Sequence, residues 1–175
     1  MINTENILFM LILTPLVGIF LLLLIPVRYK SLLKLIALTF SAVTFVLSLF
    51  LWVWFDNSNS QFQFIDTILW IPHFNLNFIV GIDGISLFLV VLTTFLILLC
   101  ILASWDGISI YIKEYYIAFL FLNVLLISVF CVLDLLLFYV LFESVLIPMF
   151  FIIGIWGSRE RKIRAAYFFF LYTLL

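Results

Sequence analysis

The sequence predicts an all-α integral membrane protein with five complete transmembrane helices, an incomplete sixth, and a short outer hairpin-like segment between helices two and three. Three observations predict it. Of 175 residues, 68% are hydrophobic and 10% charged, whereas soluble domains run at about 45–50% apolar and about 25% charged. Apolar runs near the roughly 20 residues needed to cross a bilayer recur along the chain, separated by short polar breaks. All eight basic residues fall in alternate breaks, as expected when cations stay on the side from which a protein is inserted. A water-soluble core of this length could not hide so much apolar surface, so most side chains have lipid or neighbouring membrane protein as their solvent. A net charge of −1 excludes the basic footprint of a nucleic-acid partner.

The spans follow in order as Ile7 to Val27, Leu35 to Phe55, Ile85 to Trp105, Tyr115 to Leu133 and Leu135 to Trp156, within one membrane domain covering residues 1–175. A sixth begins near Ala165, where "RAAYFFFLYTLL" supplies about half a bilayer at 1.5 Å per residue. Arg28, Lys30 and Lys34 lie between spans one and two, Lys113 between three and four, and Arg159, Arg161, Lys162 and Arg164 between five and six. The opposite side carries Glu5, Asp56, Asp66, Asp83 and Asp134 and no cation, which places the N-terminus outside. "MINTENILFM" lacks the Arg-rich amphipathic character of a transit peptide, so the chain is expected to be made near its membrane and to keep its first span.

Between spans two and three, "DNSNS" is rich in turn formers and "QFQFI" alternates polar with apolar, the pattern of a half-exposed strand. A short hairpin or interfacial patch is expected there. Trp70 and Pro72 suit a headgroup-level anchor, and the lone histidine, His73, lies beside them without a second His or Cys to make a metal site. Asp83 in "GIDGIS" and Asp134 in "CVLDLLLF" are expected to cap the helices that follow by accepting backbone amides. Cys100 and Cys131 sit at depths differing by roughly 15–20 Å, too far for a disulfide.

Glu143 in "LLLFYVLFESVLIPMFFIIGIW" differs from these, because no helix end is close enough to use it. An acid near mid-bilayer costs about 2.5–3.5 kcal/mol on insertion scales. Tyr139 is one turn earlier on the same face, and Pro148 removes the amide that would have bonded the Ser144 carbonyl. A small polar island of Glu143, Tyr139, Ser144 and an open carbonyl is therefore expected, serving proton or ion handling. The alternative is a neutral carboxyl that joins two helices by a hydrogen bond.

The phrases "GIDGISLF", "LDLLLFYVLFESVLIPMF" and "GIWGSRERKIRAAYFFFLYTLL" resemble the antiporter-like proton-pumping subunits of respiratory complex I, relatives of the Mrp-type cation/proton antiporter subunits. Members carry a glutamate on the fifth span, opposed by a lysine on a later broken helix, and Glu143 occupies the glutamate's position. The resemblance implies proton translocation coupled to NADH:ubiquinone oxidoreduction, with Glu143 transferring protons within the membrane. It also implies no redox centre, cofactor or metal in this chain. The lysine-bearing helix of the family lies beyond Leu175, so a second chain supplying the missing C-terminal helices is expected, or else a remnant with a structural role. Other complex I membrane subunits and the bilayer are the implied partners. Twenty-two phenylalanines and the missing presequence suit the mitochondrial inner membrane, with the N-terminus on the intermembrane-space side. The competing readings are a structural subunit without its own proton path and a subunit of a stand-alone antiporter. The one-sided cations predict that a cysteine placed at Ser158 reacts with an impermeant thiol reagent only from the matrix face. Labelling from the outer face of sealed inner membranes would contradict this.

Overall fold

A computed structural model describes residues 6–56, 58–59, 61–71, 76–157 and 160–174, with residues 68–71, 76 and 77 described in the backbone alone. Glu5, Pro72, His73, Ser158 and Arg159 lie outside the described residues, as does the side chain of Trp70. The elements in order are α1 (Ile7–Leu24), α2 (Lys30–Trp54), β1 (Gln63–Ile71), β2 (Leu76–Ile82), α3 (Gly84–Ala103), α4 (Ile112–Cys131), α5 (Leu135–Trp156) and α6 (Lys162–Leu174). Among the described residues, α1 to α5 are long and apolar enough to cross a membrane, and α6 is shorter, with 13 residues. The all-α membrane fold with its hairpin is the one its composition and hydropathy predict.

Helix ends depart from the apolar runs for local reasons. α1 stops at Leu24 because Ile25 precedes Pro26, and a residue before proline is pushed out of the helical region; its ψ is 130°. α2 starts at Lys30 rather than Leu35, since lysine is a good helix former and the helix continues past the stretch that hydropathy detects.

Helices α1 to α4 form a bundle, with α5 laid on α4 and α6 on α5. α4 is the hub: 61% of its span is buried within the chain, against 17% for α5. α1 approaches α2 closely at Gly18, where an added Cβ would lie 2.8 Å from the Phe40 ring and 3.2 Å from Leu120. Two apolar clusters fill the bundle. One gathers Leu8, Leu11, Leu51, Val90 and Ile127 beneath the hairpin. The other gathers Leu22, Ala37, Ile97, Tyr116 and Leu120 toward the opposite end.

The hairpin pairs β1 and β2 antiparallel, with Thr67 opposite Ile79 and Ile68 opposite Phe78. Its register shifts between Gln63 and Asp66, where Phe64 takes a left-handed φ of 54°. Val80 bridges to Val132, and the Leu133 amide donates to the Ile79 carbonyl at 2.9 Å. The hairpin thus pins the tight α4–α5 turn. Gly81 permits this, because a Cβ there would lie 2.9 Å from Leu133.

Several helix ends are closed by charged side chains, acids at one face and lysines at the other, whereas the starts of α1, α2 and α4 have no side-chain cap. Asp83 accepts the Ser86 amide at 2.7 Å, and the Ser86 hydroxyl accepts the Asp83 amide at 3.0 Å, closing a capping box on α3. The Ser86 amide, then its hydroxyl, holds the Asp83 carboxyl below the usual carboxylate range. The resulting stability is present above the ordinary carboxylate pKa and is lost as pH falls through the depressed one. Asp134 accepts the Leu136 and Leu137 amides at 2.9 and 3.0 Å at the start of α5. At the cationic face, Lys113 donates to the carbonyls of Leu23 and Ile25 at the end of α1. Lys162 donates to Ile155 of α5, and Lys34 to the Trp105 carbonyl just past α3.

The Gly18 contact predicts that Gly18→Val destabilises the bundle by the roughly 1–3 kcal/mol typical of overpacking and so lowers the amount of assembled protein. Gly84→Ala, with open space around its Cβ, should not. Native electrophoresis of solubilised membranes checks both, and equal yields would show that α1 can shift to accommodate the larger side chain.

Candidate intramembrane acid site

α5 has 22 residues, about 33 Å at 1.5 Å per residue, enough for the roughly 30 Å hydrocarbon core. Glu143 lies about 12 Å from the end of α5 that Asp134 caps. It is half-buried. The side of α5 that meets α4 is a stripe of Val145, Met149, Ile152 and Trp156, packed against the Tyr115–Tyr116–Leu122 end of the core. Trp156 fixes that stripe, its indole N–H donating to the Ile110 carbonyl at 2.8 Å and its ring meeting Tyr115 edge-on at 5.1 Å.

Glu143 does not belong to that stripe. It is two residues before Val145, about 160° away around the helix by the shorter path, and two turns before Phe150 on nearly the same line. Phe150 meets α6 through Tyr167 and Phe170, with ring centroids 5.5 and 6.0 Å apart, and Gly154 lies against Ala166. Glu143 therefore occupies the face of α5 that α6 takes, roughly 10 Å farther along the helix than that contact. It is directed away from the α1–α4 bundle.

The polar island expected around Glu143 does not form. Tyr139 is 61% exposed, and among the described residues Glu143 makes no hydrogen bond or ion pair. The phenol sits about 40° from the acid around the helix, and nothing packs behind it to turn its hydroxyl inward. Ser144 donates its hydroxyl to the Val140 carbonyl of its own helix at 2.7 Å, the back-bond a helical serine makes when no better acceptor is near. Pro148 is buried in α5 and leaves the Ser144 carbonyl without its helical amide. On α5 the carboxyl and this carbonyl remain open at that depth.

Asp83 and Asp134 are helix caps, as their positions predict. Cys131 is buried in α4 and Cys100 exposed on α3, both free thiols. Sequence reasoning missed Asn123, which is completely buried near the middle of α4 with both polar atoms of its side chain unpaired. The signal was available: it is the one amide in the apolar run "IAFLFLNVLLISVF".

A multi-spanning helical membrane module with a solitary acid at mid-depth of its fifth span is the class that this fold and site define. Residues 132–175 match the family described as NADH:quinone oxidoreductase/Mrp antiporter, TM. The chain is 61% identical over 165 residues to NADH-ubiquinone oxidoreductase chain 4 of Arabidopsis thaliana, covering 94% of this chain and 33% of that protein. It is also 61% identical over 163 residues to the protein of the same name from Chondrus crispus, covering 93% and 33%. A chain in the structure of respiratory complex I from Thermus thermophilus with bound NADH superposes with a TM-score of 0.76 at 26% identity, over 95% of this chain and 32% of that one. The chain belongs to the NADH-ubiquinone oxidoreductase chain 4 family, and it spans about a third of the length of the relatives it matches.

The geometry predicts that Tyr139→Phe costs less than about 0.5 kcal/mol, as a surface hydroxyl without a partner should. Thermal melting of the membrane-embedded protein measures it. A loss of a kcal/mol or more would mean that the phenol does bond the acid.

Proposed function

We propose that this chain supplies the glutamate-bearing helix of an antiporter-like module that translocates protons in a mitochondrial complex I, driven by NADH:ubiquinone oxidoreduction. The observation that carries the proposal is the placement of Glu143: mid-depth, half-buried, without a partner among the described residues, and on the face of α5 turned away from α4. A carboxyl whose task was to join α5 to the bundle would lie on the Val145–Trp156 stripe instead. An acid on the opposite face is placed to meet a charge that comes from outside α1–α5.

The chemistry follows from general electrostatics. A cation brought near a carboxyl favours its charged form, and removal of the cation in a dehydrated site favours the protonated form. A lysine whose distance changes would thus drive Glu143 between proton-holding and proton-releasing states. That lysine belongs to the part of the family's length that this sequence does not include, in the same polypeptide or in a second chain. The free energy comes from electron transfer in other subunits, against about 2.3 kcal/mol per charge for every 100 mV of membrane potential. This chain moves protons and holds no redox centre or other cofactor.

Other membrane subunits of complex I are the proposed partners. The large exposed apolar residues along α5, Leu136, Phe138, Phe142, Ile147 and Phe151, support contact with lipid or neighbouring helices. The inner mitochondrial membrane is the proposed location, with the N-terminus on the intermembrane-space side. The Lys34, Lys113 and Lys162 caps then face the matrix, in the sense of the cation rule. Similarity to chain 4 proteins over 94% of the chain favours this reading over a stand-alone antiporter.

Substitution separates proton exchange from helix joining. Glu143→Gln keeps size and most hydrogen-bonding capacity but cannot ionise, so assembly should be near normal while proton translocation, and the quinone reduction tightly coupled to it, falls sharply. Glu143→Asp still titrates and should retain more activity than Gln. The measurement is NADH-driven quinone reduction and proton uptake in membranes with equal amounts of assembled complex. Full activity in the Gln variant would refute the proposal.

A further inference from the structure

The two apolar clusters of the bundle are separate groups of buried residues, with Ile19 packed against both. Small or polar buried residues occur between their centres on each helix of α1 to α4, beside the apolar Pro15 on α1 and Leu122, Val124 and Leu125 on α4. The small or polar ones are Gly18 on α1, between Leu11 and Leu22, and Ser41, Thr44 and Ser48 on α2, between Ala37 and Leu51. On α3 the position is Thr94, between Val90 and Ile97, and on α4 it is Asn123, between Leu120 and Ile127. Ser41, Thr44, Ser48, Thr94 and Asn123 are all 0% exposed. They form a polar layer across the middle of an otherwise apolar membrane bundle.

Within that layer the hydroxyls and the amide are in opposite situations. Ser41 donates to Leu38 at 2.9 Å, Thr44 to Phe40 at 2.7 Å, and Ser48 to Phe45 at 2.7 Å. Thr94 reaches the carbonyls of Val90 and Val91 at 3.1 and 2.9 Å, and its oxygen lies 2.9 Å from that of Ser48, tying α2 to α3. The hydroxyl hydrogens are occupied, while their oxygens keep acceptor capacity toward the layer. Asn123 brings two N–H donors and an acceptor oxygen, and neither its Nδ2 nor its Oδ1 has a partner. It continues the line of Tyr116, Leu120 and Ile127, all 0% exposed, which is the side of α4 that meets the core. Because Asn123 is fully enclosed by this chain, no group from a neighbouring subunit reaches it in this arrangement.

We propose that this layer is an internal water-binding site organised by Asn123. A water there accepts from Nδ2 and donates one hydrogen to Oδ1 and the other to a hydroxyl oxygen of α2 or α3. Water fits the donor set because it supplies both donors and acceptors, and a buried water typically makes two to four hydrogen bonds with groups that otherwise lack them. A metal cation fits poorly, since the layer holds oxygen ligands but no carboxylate to balance the charge, and an uncompensated charge at this depth is strongly disfavoured. The site is distinct from that of Glu143, which lies at about the same depth but on the face of α5 turned away from α4.

The test is a map of the assembled, membrane-extracted complex at a resolution that shows ordered water, for the wild type and for Asn123→Leu, which keeps similar volume without polar atoms. The expected result is density within hydrogen-bonding distance of Asn123 and at least one of Ser48, Thr44 or Thr94, lost in the Leu variant. If the Leu variant does not assemble, the wild-type map decides alone. A dry layer, or Asn123 turned to bond a hydroxyl or carbonyl directly, would overturn the proposal. So would density with the short multi-oxygen shell of a sodium ion that disappears when sodium is replaced by choline.

Discussion

Every backbone group in a bilayer must find its partner inside the protein, and in this chain side chains of opposite charge at the two faces meet that constraint at several helix ends. α3 and α5 begin at the acidic face, and Asp83 and Asp134 accept their free amides. α1, α3 and α5 end at the cationic face, where lysines of α4, α2 and α6 reach carbonyls at or just past their ends. Each contact also complements the helix dipole, worth about 0.3–1 kcal/mol. Lys34, Lys113 and Lys162, which belong to the one-sided set of cations, thus also close helix ends. Lys34 adds a second contact, with its ammonium 5.5 Å from the centre of the Trp105 ring.

With the ends closed, packing is free to differ from helix to helix. α4 is enclosed on several sides by α1, α2, α3 and the hairpin, so it tolerates Asn123 only as an interior group that needs satisfaction. α5 touches the α1–α4 bundle along one stripe and α6 along part of another face, so its polar residue lies off the bundle. Two polar side chains at the same depth on adjacent helices therefore face different environments. Asn123 is internal to the bundle, and Glu143 is half-buried on the face turned away from α4.

The hairpin ties this arrangement to the acidic face. Its bond to Leu133 and the Val80–Val132 bridge hold the turn between α4 and α5, and that turn sets how the two helices are rotated against each other. Phe9 and Phe78, with ring centroids 6.1 Å apart, carry the same restraint to α1. A short loop alone would limit the separation of α4 and α5 without fixing their rotation, on which the direction of Glu143 depends.

Membrane class, the number of long apolar spans, the hairpin and both aspartate caps were legible in the sequence. Each depends on residues within a few positions of one another, set against a solvent that is uniform along the chain. The bilayer reads composition in one dimension, and capping spans three residues. What the sequence did not disclose needed neighbours far apart in the chain. Lys113 meets Leu23 across 90 positions and Lys34 meets Trp105 across 71, and no local pattern announces either pairing. The expected Tyr139–Glu143 contact did not form, because one helical turn of separation permits two side chains to touch but does not make them turn toward each other. The polar layer exists only where the helices cross, since Ser48, Thr94 and Asn123 come from three different spans. Sequence alone placed Glu143 at mid-depth; only the tertiary structure decided which way it faces, because depth follows from counting along one helix, whereas direction depends on which side of that helix its neighbours cover.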